Sequence, residues 1–194
     1  MGVGVLGVLV LVALLVIGLP VLAVIVWLVV TYNGLVGLRN AVKNAWSQID
    51  VQLKRRYDLI PNLVETVKGY AKHERETFEN VVKARQRGID AKTVGEQAQA
   101  ENMITGALRQ LFALSEAYPD LKANQNFLAL QEELASTENK ISFSRQYYND
   151  SVQSFNTRQQ VFPANMVASM LGFKPSDFFE LDDAAAREAP KVQF

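Results

Sequence analysis

His73 and Glu74 are adjacent, and the chemistry they suggest is zinc-assisted hydrolysis. The H-E-x-x-H motif needs two histidines on one helical face to hold the metal, and His73 is the only histidine in the chain. A di-iron carboxylate site in a helical bundle asks for two Glu-x-x-His pairs, which one histidine cannot supply. Glu74, Glu76 and Glu79 therefore read as a solvated helix face. Gly2, Gly4 and Gly7 spell G-x-G-x-x-G, but a dinucleotide site needs a preceding strand, a βαβ unit and a downstream acid. Here the glycines open an apolar run and reflect composition. Ser136, Thr137 and Ser142 lie close to Glu138 and Lys140, yet a hydrolytic site needs a base and an oxyanion hole in a cleft. Backbone N–H groups inside a helix are already engaged by its own ladder. Asn149-Asp150-Ser151 fits a glycosylation sequon, which carries no weight on a helix of a cytoplasmic domain. The chain has no cysteine, which excludes disulfides, thiol catalysis, cysteine zinc sites and iron–sulfur clusters. The expectation is a non-enzyme with no catalytic, cofactor-binding or metal-ligating residues and no cofactor. Lys plus Arg balances Asp plus Glu at 20 each, so no overall charge recruits nucleic acid.

Other residues suit contact better than catalysis. Arg55, Arg56 and Asp58 sit beside Pro61, where backbone groups are freed and a helix must bend or restart. They make either a partner contact or inter-subunit ion pair, or simply an exposed charged turn. Asn124, Asn126 and Asn139 can bond across to another helix or cap a neighbouring terminus; internal polar packing is the expectation. Thr137, Ser144 and Gln159 fall on an otherwise apolar stripe, where buried polar groups tune register or oligomer state. Phe178 and Phe179 near the C-terminus are candidate interaction residues, and Phe173, like them, is either exposed or docked.

The elements that must position these residues are helical. Leu35, Leu38, Val42, Trp46, Ile49, Leu53, Tyr57 and Ile60 recur at steps of three and four, the helical period. Leu63, Val64, Val67 and Tyr70 carry the stripe past Pro61, and Phe78, Val81 and Val82 continue it. Gly88 with Asp90 marks the first firm stop. A second helix is expected over 94–117, then a turn at Tyr118-Pro119-Asp120 with Asp120 as N-cap. Neither Gly nor Pro occurs between Pro119 and Pro163. Phe127, Leu130, Leu134, Thr137, Ile141, Ser144, Tyr148, Val152, Phe155 and Gln159 follow near-heptad spacing there. About 40 helical residues make about 60 Å of rod, so coiled-coil-like packing between antiparallel neighbours is expected. A short helix over 166–171 follows, then a mostly irregular tail.

Ahead of all this, the first charged side chain is Arg39. Val3 to Val30 is almost wholly Val, Leu, Ile, Ala and Gly, and about 20 such residues cross a hydrocarbon core. A cleaved signal would have a basic start, a shorter apolar core and a small-residue cleavage site. None is present, so a retained anchor is expected. Pro20, behind Gly18, predicts a kink, and Trp27 and Tyr32 fall where aromatic rings favour the membrane interface. Arg39 and Lys43 follow the run, and bases flanking a span stay cytoplasmic. The expected placement is the bacterial inner membrane, single-pass, N-terminus outside and helical domain in the cytoplasm. Seven bases against three acids up to Lys72 suit an anionic leaflet, or else ordinary solvated faces. The fold class is all-α: one transmembrane helix over 1–32 continuing without a linker into an antiparallel long-helix bundle over 33–172, with an irregular tail over 173–194.

Several ordered segments resemble the LemA family of bacterial membrane proteins. Residues 45–56 read Ala-Trp-Ser-Gln-Ile-Asp-Val-Gln-Leu-Lys-Arg-Arg and run on through Asp58-Leu59-Ile60-Pro61-Asn62-Leu63-Val64. Tyr118-Pro119-Asp120-Leu121-Lys122-Ala123-Asn124 with Phe127 and Leu128 is the second segment, and Thr137-Glu138-Asn139-Lys140-Ile141 the third. Tyr148-Asn149 and Phe162-Pro163 fit as well. The likeness covers roughly 32–179. It implies a short outer N-terminus, one span and a cytoplasmic antiparallel bundle. Members of the family are associated with internal-membrane formation and with genes for membrane proteases, and the family offers no catalytic residues to carry over. Two functions follow as expectations: a scaffold that self-associates in the lipid bilayer, or an adaptor or regulator of a membrane protease or transporter.

Overall fold

The computed structural model describes residues 2–180. Helix α1 spans Gly2–Lys68, α2 Arg75–Asp90, α3 Val94–Ala117, α4 Pro119–Lys122, α5 Gln125–Gln160 and α6 Ala164–Met170. No strand occurs among the described residues. The described residues divide into two compact units, one of residues 2–43 and 151–176, the other of 44–150 and 177–180. Helices α1 and α5 each contribute to both.

The larger unit is an up-down-up-down bundle. Trp46 meets Tyr148, Arg56 meets Glu138 and Tyr70 meets Asn124, so α5 runs antiparallel to α1. Helix α2 packs along α3, and Arg85 of α2 reaches the Tyr57 carbonyl on α1. The stripe read from the sequence supplies the core. Ile49, Leu53, Ile60 and Leu63 of α1 are fully buried or nearly so, as are Val81, Ile104, Leu111, Phe127 and Ile141. Each such side chain contributes about 1.5–3 kcal/mol through removal from water.

Two expectations about boundaries are corrected. Helix α1 passes through Pro61 without a break and ends at Lys68, and residues 69–74 form turns before α2 begins. Val67 accepts the N–H groups of both Tyr70 (3.0 Å) and Ala71 (2.9 Å), tightening the chain out of the helix just after Gly69, a poor helix former. The stop expected at Gly88 with Asp90 is there, since α2 ends at Asp90, but it is the second break and not the first, and Gly88 itself lies inside the helix. A Cβ there would lie 2.5 Å from the Tyr57 hydroxyl oxygen and 2.8 Å from its ring, so the glycine admits close approach of α1. The second helix begins and ends at Val94 and Ala117 as expected. Thr93 and Glu96 close a capping box at its start, and the backbone N–H groups of Lys92 and Thr93 hold the Glu96 carboxyl below its ordinary value. Asp120 does not cap: Tyr118 precedes the short α4, Pro119 sits at its first turn and Asp120 lies inside it. Asn124 caps α5 instead, accepting the Phe127 N–H at 2.9 Å.

In the smaller unit, α6 ends in a Schellman turn. Gly172 has φ +69°, the Phe173 N–H reaches the Ala168 carbonyl (3.0 Å) and the Gly172 N–H reaches Ser169 (3.3 Å). That turn sends Phe173 back against Tyr32 (ring centroids 6.1 Å) and Phe155 (6.3 Å), with the Arg39 guanidinium 5.3 Å from its centre. The chain from Phe173 to Glu180 is irregular, and the rest of the expected tail lies outside the described residues.

Candidate functional site

Two features stand out, one in each unit. In the smaller unit, the α1 side chains described between Leu9 and Val30 lie almost entirely on the surface. Trp27 and Tyr32 are both partly exposed. Burial begins at Thr31 and Leu35. Among the described helices, α1 is the one long and apolar enough to cross a membrane.

In the larger unit, α1, α3 and α5 converge on a buried charge cluster. Arg56 is 4% exposed and Glu101 1%. Arg56 Nη1 donates to Glu101 Oε2 at 3.0 Å and lies 2.9 Å from Glu138 Oε2 on α5, while Nη2 donates to Thr105 Oγ1 at 3.1 Å. The Tyr57 hydroxyl donates to Glu101 Oε1, and Gln97 Nε2 donates to the same hydroxyl (2.6 Å) and to Glu101 (3.2 Å). Burial raises the Glu101 carboxyl above its ordinary value, against the pull of Arg56 and the hydrogen bonds from Tyr57 and Gln97. Burial, then the neighbouring carboxylate, likewise raises the Tyr57 phenol. The arrangement ties three helices in one register. A buried guanidinium satisfied by two carboxylates and a hydroxyl is a structural clamp, because every polar atom named is already spent on a partner.

The contact residues expected from the sequence do not form one site. Arg56 is neither a partner contact nor an exposed turn; it makes an ion pair within its own bundle. Arg55 pairs with Glu133 at the surface. Asp58 and Pro61 are exposed, as is Asn139, which therefore does not pack internally. Asn124, half-buried, donates to the hydroxyl of Tyr70 in the turn after α1 at 2.8 Å and caps the start of α5. Thr137 is buried, and its hydroxyl bonds Glu133 of its own helix; Gln159 likewise bonds Phe155. Register is set across helices by Arg56 instead. Phe179 is fully buried and so is not accessible to a partner, whereas Phe178 is partly exposed.

Phe179 is held by residues of the family-like segments. Trp46 stands edge-on to both Tyr148 (5.3 Å) and Phe179 (5.7 Å). The Tyr148 hydroxyl donates to the Asp177 carbonyl at 2.9 Å. Asn149 grips Phe179 twice: its Oδ1 accepts the N–H (2.9 Å) and its Nδ2 donates to the carbonyl (3.1 Å). In the smaller unit Asn156 grips Ser176 in the same way, both bonds at 2.9 Å. Sequence reasoning does not find Gln97, Glu101 and Glu138. The signal is nonetheless present: Gln97, Glu101, Ile104, Leu108 and Leu111 share one spacing, so two polar residues stand on the apolar stripe of α3.

The LemA family model matches residues 45–194. Protein LemA of Metamycoplasma hominis is 31% identical over 143 residues, covering 72% of this chain and 64% of that protein. Magnetosome protein MamQ 2 of Paramagnetospirillum magneticum is 26% identical over 188 residues, 84% of this chain and 69% of its own length. Magnetosome protein MamQ of Magnetospirillum gryphiswaldense is 22% identical over 187 residues, 83% of this chain and 69% of its own. The chain thus spans just under two thirds of the mycoplasma relative. With the exposed apolar stretch of α1, these likenesses describe a membrane-associated helical protein.

Proposed function

This chain belongs to the LemA family, and on that premise we propose that it is a non-enzymatic, membrane-anchored helical scaffold. It self-associates into a large homo-oligomer and organises or shapes the membrane that holds it. Residues 9–30 span the bacterial inner membrane, with the N-terminus outside and the bundle in the cytoplasm, because Arg39 and Lys43 flank the run on the bundle side.

The observation that carries self-association is a pair of exposed apolar side chains in the larger unit. Val51 of α1 is 63% exposed and Phe143 of α5 is 73% exposed. The register fixed by Trp46 with Tyr148 and Arg56 with Glu138 sets these two residues level on neighbouring antiparallel helices. Large apolar side chains left open to water at one level of a charged bundle suit a protein contact, and a copy held in the same bilayer meets them at high effective concentration. Similarity to relatives named as magnetosome proteins, over most of this chain, supports a role in membrane organisation.

Mass measurement of the full chain in mild detergent and in nanodiscs tests the reading. The wild type should run as one large species, and the double variant Val51→Glu/Phe143→Glu as much smaller particles that remain folded. A wild-type monomer at every concentration would defeat the scaffold. Co-purification of one stoichiometric foreign protein, such as a membrane protease or transporter, would replace it with the adaptor reading.

A further inference from the structure

The turn from α5 into α6 presents an apolar face that the bundle does not use. Phe162 is 75% exposed, Met166 63% and Met170 71%. Their spacing of four places Met166 and Met170 on one side of α6, while Ala164, Val167 and Ala168 on the other side are buried. All of these residues belong to the smaller unit. Within it, Phe173, just after α6, touches Tyr32, two residues beyond the apolar run that ends at Val30.

Charge points the same way. Residues 2–43 and 151–176 contain Arg39, Lys43, Arg158 and Lys174 and not one Asp or Glu, whereas the chain as a whole is balanced. A surface that pairs exposed apolar side chains with charges that are all basic, placed where an apolar helix ends, matches the boundary between acyl chains and anionic headgroups.

We propose that Phe162, Met166 and Met170 insert into the interface of the leaflet from which α1 emerges, so that the protein holds the membrane by a span and by an amphipathic turn beside it. The Schellman turn at Gly172 is the device that positions the insertion, because it delivers Phe173 onto Tyr32. This rests on the reading that residues 9–30 span the bilayer.

The chain has no cysteine, so single cysteines report cleanly. An environment-sensitive fluorophore is attached through a cysteine substituted for Leu19, Phe143, Met166 or Met170 of the full chain. Each variant is reconstituted in vesicles of phosphatidylcholine and phosphatidylglycerol. The expected result is quenching at 166 and 170 by lipids carrying a shallow nitroxide, with iodide quenching several-fold weaker than for the wet state of the same sites in a urea-unfolded sample. Position 19 should respond to deep nitroxides. Iodide quenching at 166 and 170 with position 19 still deep would overturn the insertion and leave the span intact. Protection of 166 and 170 from iodide without lipid quenching would show a second copy on this face and also overturn it. An aqueous position 19 would remove the span, and the proposal with it. Position 143 identifies the scaffold contact separately, by protection that no lipid quencher reaches.

Discussion

A guanidinium almost wholly removed from water, as in Arg56, needs charge on more than one side. Glu101 and Glu138 supply it, and Thr105 takes a further N–H. Removing one partner of such a cluster leaves a buried charge uncompensated, at about 3–5 kcal/mol. Arg56→Ala should therefore lower the unfolding free energy of the detergent-solubilised protein by about that amount at neutral pH, read by circular dichroism in urea. Arg55→Ala should cost no more than about 1 kcal/mol, because its pair with Glu133 is at the surface. Glu101 adds a pH dependence. Its carboxyl is raised above the ordinary value, chiefly by burial. Stability linked to it is complete below the unfolded pKa and is lost as pH rises through the folded one. Wild type should thus lose stability relative to Glu101→Gln on going from acid to neutral pH, whatever the offset between the two proteins. Midpoints that run parallel across that range would contradict the shift. In the sequence, Arg56 is a charge beside a proline and Tyr57 a core ring. That they share a partner is not legible there, because Glu101 lies 45 residues away from Arg56 and only folding brings it close.

Elements follow from local pattern where pattern and packing agree. Helix α3 is legible to the residue because its apolar period begins after a Thr-x-x-Glu start and stops before a proline. The buried stripe of α5 is legible for the same reason: eight of its ten named positions, from Phe127 to Gln159, are buried. The break at residues 69–74 is not, since Tyr70 and Phe78 keep nearly in phase with the stripe on either side of it. A two-state pattern of apolar and polar residues carries no mark of a reversal that costs so few residues. Gly88 with Asp90 does mark the end of α2, but the contact Gly88 makes with Tyr57 across helices is not legible in the local pattern. Gly88→Ala gains about 1 kcal/mol in helix propensity but must displace a phenol fixed by Glu101 and Gln97. Overpacking of that kind costs about 1–3 kcal/mol or more, so the variant should be less stable than wild type in the same urea titration. An unchanged or raised midpoint would mean that the ring moves freely.

At the scale of the molecule, the apolar run and the all-helical class are plain from composition and periodicity. The division of charge is not, because it follows the fold and not the chain order: Arg158 and Lys174 join the acid-free unit although they lie far from residues 2–43 in sequence. If Arg39 and Lys43 fix the orientation, a single cysteine replacing Gly4 should react with an impermeant maleimide on intact cells. One replacing exposed Val51 should react only after lysis. The reverse pattern would place the bundle outside. Family membership is carried by ordered motifs, and the fold gives those motifs a shared physical role, since Trp46, Tyr148 and Asn149 all act on the segment around Phe179.

The double grips by Asn149 and Asn156 make the hold on the C-terminal segment depend on two side-chain amides. Each side-chain amide behaves as a borrowed peptide bond, giving one residue of an extended segment both a donor and an acceptor. Hydrolysis to aspartate swaps one nitrogen for one oxygen. The acceptor survives, while the donor becomes a second acceptor facing a carbonyl oxygen, so the grip turns to repulsion. Ageing of either amide, visible as a mass gain of about one dalton, would loosen the C-terminal segment without cutting a single bond of the main chain.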